Sequence, residues 1–322
     1  MMSWRKVVSA VALLCAQISL AEAEDWPARP VRVLVGFGAG GGTDVVARIV
    51  AEKLSEVLGQ PFLVENQPGS GGTIAGGIVA GAPGDGYTGL VISAGHAISA
   101  VMVKKVPYDP VHSFALVGMI ASSTFVLMVP RNSPATDLKS LLVHISAAGG
   151  TALYATLSAG SGQHLIAEDL RQRTGMNAQH LSFATTGEVV AALMKGDAAF
   201  GLELYQAVRG PVSAGDLRLL AVASPFRWPA APDVPTFAES GLEDFKYGAW
   251  YGFAFPGGTP KPIIDKMYEA LERVLARDDV RRSLEVAGTI ATLSTAGHLR
   301  EIIEWDIRRL QEVAKKSGLG PK

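Results

Sequence analysis

The 322-residue chain has a single cysteine, Cys15, and its position decides what that scarcity means. Cys15 lies inside an apolar run, Val7–Leu20, that follows Arg5 and Lys6 and precedes the triplet Ala21-Glu22-Ala23. This is the three-part layout of a secretory signal peptide, residues 1–23, and cleavage after Ala23 is expected. Leu14 is too large for the small-residue site of a lipoprotein. The mature chain then starts near Glu24 without cysteine, which excludes disulfides, thiolate metal sites and a cysteine nucleophile together. No later run is long and apolar enough to cross a bilayer. Charged residues make up only 18% and the net charge is −1, with no basic block, so a nucleic-acid partner is not expected. The six histidines are scattered, with no His-Glu-x-x-His to hold a metal. Gly-x-Ser-x-Gly does not occur, and Ser161 standing three residues before His164 does not make a triad. Gly42 is followed by Thr43 and Asp44 rather than Lys-Ser/Thr, so there is no P-loop. No internal repeat or low-complexity tract is visible.

What is present is a hydrophobic content of 48% and a regular alternation of strand and helix patterns. Val31–Val35, Phe62–Val64 and Thr88–Ser93 read as strands; Asp44–Leu58, stopped by Gly59, and Gly72–Ala82 read as helices. A second unit begins near Val126, with strands at FVLMVP, Ala152–Leu157, Ala198–Leu202 and Leu217–Ala223. Its helices are Asp137–Ala147, His164–Thr174 and Thr186–Met194, the last opened by the capping-box pattern Thr185-x-x-Glu188. A proline-rich return, Pro225–Gly241, leads to a strand at Tyr251–Phe255 and helices at Lys261–Ala276, Val280–Ala287 and Ala296–Lys316. Such alternation predicts an α/β architecture with mostly parallel strands.

Two glycine-rich turns stand out, Gly36–Thr43 and Ser158–Gln163, each between a strand and a helix. A helix N-terminus presents unpaired amide N–H groups and a partial positive charge, and glycine lets a ligand come close to the backbone. Both loops therefore suit a carboxylate or phosphate, or else they only make tight turns. Gly36-x-Gly38-x-x-Gly41, with Glu65 after the next strand, has the spacing of a dinucleotide fingerprint. That spacing is weak in a chain with 36 glycines, and Asp44 puts a carboxylate where the pyrophosphate would sit.

The stretch WPARPVRVLVGFGAGGGTDVVARIVAEKLSEVLGQPFLVENQPGSGGTIAGGIVAGAPGDGYTGL resembles the start of mature tripartite tricarboxylate transporter substrate-binding proteins, the Bug family. The resemblance continues through SAGSGQHLIAEDL, LRLLAVAS, APDVPTFAESG and WYGFAFPGGTPKPII, and so covers nearly the whole mature chain. It implies a two-lobed type II periplasmic binding protein fold, with lobe 1 built from residues 24–124 and 228–322 and lobe 2 from 125–227. It implies a periplasmic, non-enzymatic receptor without cofactor or metal, which captures a small organic acid between its lobes and passes it to membrane permease subunits. In that family two loops clasp a ligand carboxylate through backbone amides, hydroxyls and waters. Carried onto this chain, the first clasp is Phe37, Gly38, Ala39, Gly40, Gly41, Thr43 and Asp44. The second is Ser158, Ala159, Gly160, Ser161, Gly162 and His164.

The chain departs from the family pattern in places. Gly36 and Gly38 replace two prolines of the usual Pro-Phe-Pro-Ala-Gly-Gly loop, which predicts a more flexible loop. The usual Pro-Tyr-Lys-Gly segment is Ser182-Phe183-Ala184-Thr185, and an aspartate of the family is Glu203. Thr185 and Glu203 are expected toward the far end of the cleft. His96, in the stretch SAGHAIS, is expected in a loop that borders the cleft or faces solvent, and Trp250 and Tyr251 in the core near the hinge or over the ligand. The lack of a heptad pattern predicts a monomer. A sensor that reports ligand to a signalling partner, or an exported enzyme on the same scaffold, are the alternative readings.

Overall fold

The computed structural model describes residues 26–321; the expected signal peptide, residues 1–23, and Cys15 lie outside the described residues. The strands are β1 (Val31–Val35), β2 (Phe62–Asn66), β3 (Thr88–Ser93), β4 (Phe114–Pro130), β5 (Leu153–Leu157), β6 (Gln179–Phe183), β7 (Phe200–Leu204), β8 (Leu217–Val222), β9 (Gly248–Pro256) and β10 (Ile290–Ala291). The α-helices are α1 (Gly42–Leu58), α2 (Thr73–Ala80), α3 (Ala94–Met102), α4 (Leu138–Ala147), α5 (Gly162–Thr174), α6 (Thr186–Lys195), α7 (Tyr205–Ser213), α8 (Lys261–Leu275), α9 (Asp278–Val286) and α10 (Ala296–Lys316).

The strands form two sheets that share β4. In the first, the order is β2-β1-β3-β9-β4, with β10 beyond β4. Residues 114–124 of β4 pair antiparallel with β9, from Phe114 opposite Pro256 to Thr124 opposite Gly248. From Phe125 onward the same strand belongs to the second sheet, flanked by β7 and β8, with β5 and β6 beyond β7. At the junction three segments are laced together. The Ala223 amide donates to the Phe125 carbonyl (2.8 Å), the Phe125 amide to the Tyr247 carbonyl (3.2 Å) and the Tyr247 amide to the Ala223 carbonyl (3.0 Å).

The expectation of mostly parallel strands needs correction. β1 with β2 and β3, and β5 with β6 and β7, are parallel, but every pairing of β4 and β9 is antiparallel. Helical crossovers enforce parallel neighbours, whereas β4 runs through the junction into the second sheet and β9 returns beside its first half.

Each sheet is covered on both faces. α1 lays Val46, Ala47, Val50, Ala51 and Leu54 on the first sheet and stops at Gly59 in the left-handed region (φ 74°), where a side chain is costly. α8 adds Ile263, Met267, Ala270, Leu271 and Val274 on the same face. α2, α3 and the first half of α10 cover the other face. In the second sheet α4 and α5 pack on one face around Tyr154, Phe200 and Leu202, and α6 and α7 on the other around Met128 and Ala155. Residues 228–247, assigned from sequence to the first lobe, pack on these second cores: Trp228 lies with Tyr205 and Val208, and Phe237, Phe245 and Tyr247 with Leu127 and Phe200. A fifth cluster joins the halves, with Val101 of α3, Leu165 of α5, and Leu310, Val313 and Ala314 of α10.

Candidate functional site

The carboxyl ends of β1, β3, β5 and β7 point to the same region between the sheets, and each strand leads directly or by a short turn into a helix. The first residues of those helices, α1, α3, α5 and α7, line a cavity of about 290 Å³. Gly41, Gly42 and Thr43 contribute from α1, Ser93, Ala94 and Gly95 from α3, Gln163 and Ile166 from α5, and Leu204 and Gln206 from α7. The junction segments supply Phe125, Tyr247, Gly248, Ala249 and Tyr251, and α10 supplies Asp306 and Leu310. Helices α4, α5, α6 and α10 begin with side-chain caps, from Asp137, Ser161, Thr185 and Thr295. Helices α1, α3 and α7 begin with none. Their first-turn amides have no intrahelical acceptor, so they are donors available to a ligand in the cavity. Helices α2, α8 and α9 also start without a side-chain cap, but none of their residues lines the cavity.

The first loop is held by Asp44 rather than being free to reshape. The Asp44 carboxylate is buried and accepts from the Gly40 amide (2.8 Å), Asn66 Nδ2 (2.8 Å) and Arg48 Nε (3.0 Å). Burial pushes its pKa up, but the bonds from Arg48, Gly40 and Asn66 outweigh it and hold the group below the usual carboxylate range. Asn66 also donates to the Phe37 carbonyl (3.0 Å). Glu65, the acid that the dinucleotide spacing offers for a ribose, has other work, in a forked pair with Arg32 (2.9 and 2.8 Å). A Cβ on Gly42 would meet the Gln206 amide and the Tyr251 hydroxyl. Gln206 Nε2 donates to that hydroxyl (3.0 Å), which ties α7 to β9 across the cavity.

The second loop is built in a similar way. Ser161 accepts from the His164 amide (3.2 Å), and His164 Nδ1 accepts from the Gly160 amide (3.0 Å). Gly160 has φ +81°, and Gly160 and Gly162 pass against Met102 and Ile98 of α3. His164 is buried and stacks on His180, with ring centroids 3.8 Å apart.

Of the residues expected at the site, Phe37, Gly41 and Thr43 line the cavity. Asp44 and His164 stand behind the loops and shape them. Gly38 and Ala39 are exposed, and Gly40 faces a separate opening between α1, α7 and α9. Ser158 and Ala159 are exposed, Ser161 caps α5, and Gly162 is buried under Ile98. Thr185 is exposed and caps α6, so it is not brought to the cavity.

His96 is not in a loop. It lies buried in α3, its Nε2 2.7 Å from the Pro110 carbonyl and its ring stacked on Tyr108, away from the cavity lining. Tyr251 lines the cavity, whereas Trp250 is core and donates through Nε1 to Asp306. Glu203 is 1% exposed, with Oε2 3.4 Å from Gln163 Nε2 and Oε1 without a partner. Burial pushes its carboxyl up to about 7, against hydrogen bonds with Gln163, the Leu204 amide and Thr186.

Sequence reasoning missed Ser93–Gly95, Gln206 and Asp306, and it left Gly42 and Gln163 out of the two clasps although both lie in the loops it marked. A usable signal existed for most of them, because ligands in open α/β sheets sit at the carboxyl ends of strands. β3 and β7 end where α3 and α7 begin.

A sequence model described as "Tripartite tricarboxylate transporter family receptor" matches residues 46–319. Protein BugT of Bordetella pertussis is 30% identical over 98% of this chain and 99% of its own length. Among solved structures, MatC of Rhodopseudomonas palustris with bound malate is 30% identical, with a TM-score of 0.73 over 89% of this chain and 99% of that one. A second R. palustris protein, Rpa4515 with adipate, is also 30% identical, with a TM-score of 0.78 over 92% of this chain and all of the other. The fold is therefore the two-lobed α/β fold of periplasmic binding proteins. Proteins of this group are solute receptors, and among the described residues no helix is long and apolar enough to cross a membrane. The chain belongs to the tripartite tricarboxylate transporter receptor family, the Bug/TctC periplasmic receptors.

Proposed function

We propose that this chain is an exported receptor that closes on a small organic carboxylate and presents it to the permease of a tripartite tricarboxylate transporter. The lobes in this reading are residues 26–124 with 248–321, and residues 125–247, because the laced segments at Phe125, Ala223 and Tyr247 make the natural hinge. One observation carries the reading: α1, α3 and α7 begin without side-chain caps, and their first residues line one cavity. Charge-assisted hydrogen bonds from backbone amides to a carboxylate are stronger than neutral ones, and uncapped N-termini supply them without a lysine or arginine. The malate and adipate in the two R. palustris relatives support the ligand class. The family's transporter role supports the permease partner, and the Arg-Lys/apolar/Ala-x-Ala leader supports export.

The test is a thermal-shift screen of the chain from Glu24 onward against small carboxylates and their amides. A ligand at 100 times its Kd stabilises the native state by about 2.7 kcal/mol. Carboxylates are expected to raise the melting temperature while the matching amides do not. Thr43→Val, which keeps the shape and removes a hydroxyl at the cavity wall, is expected to weaken the carboxylate about tenfold without lowering the ligand-free melting temperature by more than a few degrees. Equal shifts by acid and amide would sink the reading.

A further inference from the structure

Asp306 is the one side chain of the Asp, Glu, Lys or Arg type among the described residues that line the cavity. It comes from the middle of α10, which the sequence motifs of the two loops do not touch. Its Oδ2 accepts from Trp250 Nε1 at 2.7 Å. Trp250 is 4% exposed and fixed in β9, so the carboxyl is anchored on one oxygen by a rigid donor. Oδ1 has no such anchor. Arg309, three residues further along the same helix, makes its hydrogen bond to Asp169 (2.7 Å) and reaches Asp306 only through its charge.

A carboxylate in the wall of a cavity built to attract anions is costly for a ligand that offers only anionic groups. Like charges in a poorly solvated site repel strongly, and a buried acceptor left without a donor loses about 1–3 kcal/mol. Both costs vanish when the ligand carries a hydrogen-bond donor on the carbon chain between or beside its carboxylates. We infer that Asp306 selects for such a donor, so that this receptor takes hydroxy- or amino-substituted carboxylic acids in preference to unsubstituted ones. The inference rests on the carboxylate reading above and narrows it. It is not settled by kinship, since relatives hold both malate, which has a hydroxyl, and adipate, which has none.

In this arrangement the helix N-termini hold the carboxylate, and Asp306 Oδ1 accepts from the hydroxyl or ammonium. Burial pushes the group up to about 6, against the bond from Trp250 and the nearby charge of Arg309, both of which favour the ionised acceptor form. A ligand ammonium would add an ion pair to the hydrogen bond, and a hydroxyl would give the bond alone. Asp306 then discriminates between acids of one length without altering how the first carboxylate is held.

The experiment is calorimetric titration of the chain from Glu24 onward with acids of matched length. The probes are malate, aspartate and succinate, with the corresponding three- to six-carbon sets, adipate included. The donor-bearing acid of the best-fitting length is expected to bind at least about tenfold more tightly than its unsubstituted partner. In Asp306→Ala that ratio is expected to fall to about two or less. Asp306→Asn, which keeps an acceptor for Trp250 and guards against a packing defect, is expected to lose the preference for ammonium more than that for hydroxyl. Equal wild-type affinity for substituted and unsubstituted acids would overturn the inference alone, as would a preference that survives Asp306→Ala in folded protein. An unsubstituted diacid that binds best and tightens as pH falls would also overturn it, since Asp306 would then be donating a proton. Absence of binding by every acid, or equal binding of acids and amides, would instead remove the carboxylate reading together with this one.

Discussion

Gly36 and Gly38 stand two residues apart in the first loop, and the structure gives them different reasons to be glycine. A Cβ on Gly36 would stand 2.5 Å from Gly72 Cα and 3.0 Å from the Gly72 carbonyl oxygen. The obstacle is backbone, and it belongs to a turn with Gly69, Gly71 and Gly72 all at positive φ, so it has little room to yield. A Cβ on Gly38 would meet nothing within 4 Å. Gly36→Ala is therefore expected to destabilise the protein by about 1–3 kcal/mol through overpacking. Gly38→Ala is expected to be neutral or to stabilise by about 0.4–1 kcal/mol, because it restricts the unfolded chain at a φ that alanine tolerates. Urea denaturation of both variants checks this, and equal losses would mean that the Gly69–Gly72 turn gives way. The dinucleotide-like spacing is thus a by-product of one close approach, at Gly36, and one open position, at Gly38. The predicted flexibility of the loop is also limited by a residue outside the motif, since Asp44 ties Gly40, Arg48 and Asn66 together.

Among the elements, those with a one-sided apolar stripe were legible and those without one were not. α1 and α10 follow the 3.6-residue period and end in recognisable stops or caps, and α10 runs from Ala296 to Lys316 as expected. α3 has the sequence of a loop because it starts straight from β3 with Ala94-Gly95, without a cap or a connecting turn. α7 was missed because it contains Gly210 and Pro211, and Pro211 ordinarily argues against a helix. β6, Gln-His-Leu-Ser-Phe, is an edge strand bonded only to β5 among the described residues, so nothing requires it to be apolar. The candidate site was legible at its first loop and only partly elsewhere. The motif marked Gly41 and Thr43, but Gln206 and Asp306 reach the cavity through long-range packing that no local pattern encodes.

β6 also carries a pH-dependent element. His180 stacks on His164 behind the second loop, with Nε2 2.8 Å from the Thr156 hydroxyl. Burial and the charge of His164 push its pKa down to about 4, against the opposing pull of Glu168 and a backbone bond at Leu157. A histidine depressed on folding takes up its proton first in the unfolded chain. Its contribution to stability is present above about 6.5 and is lost as pH falls toward 4. The melting-temperature difference between wild type and His180→Gln is expected to be largest near pH 7 and to shrink steadily between pH 6.5 and 4. A difference independent of pH would show that His180 acts by packing alone.

At the scale of the whole molecule, α10 is one of the elements that join the two halves outside the strand junction, beside the α3–α5 contact and the Gln206–Tyr251 bond. Its first half buries Leu299 and Ile303 against the first sheet, and its second half puts Leu310, Val313 and Ala314 with Leu165 of α5. The tie is polar as well. Arg309 donates to Asp169 of α5 at 2.7 Å, each side chain being 9% exposed, while its guanidinium lies 4.1 Å from the Tyr247 ring centroid. Gln172 of α5 donates to Ser317 just beyond α10 (2.7 Å). Breaking a buried ion pair by removing one partner costs about 3–5 kcal/mol when the other charge is stranded. In Arg309→Met, Asp169 keeps Arg173 (2.8 Å) and the Tyr247 hydroxyl (2.9 Å), so a smaller loss of about 1–3 kcal/mol is expected. The second half of α10 should then exchange its amide hydrogens faster than the first half, which stays on its own sheet. If the tie also holds the halves at their present spacing, the ligand-free variant should have a larger radius of gyration by solution scattering, and a carboxylate ligand should restore the wild-type value. Faster exchange along the whole of α10 would mean that the helix docks as one unit and that the ion pair only adds to its stability. Faster exchange confined to residues beyond Arg309, with the change in radius, would make α10 the strap whose attachment to α5 sets how far the cavity opens.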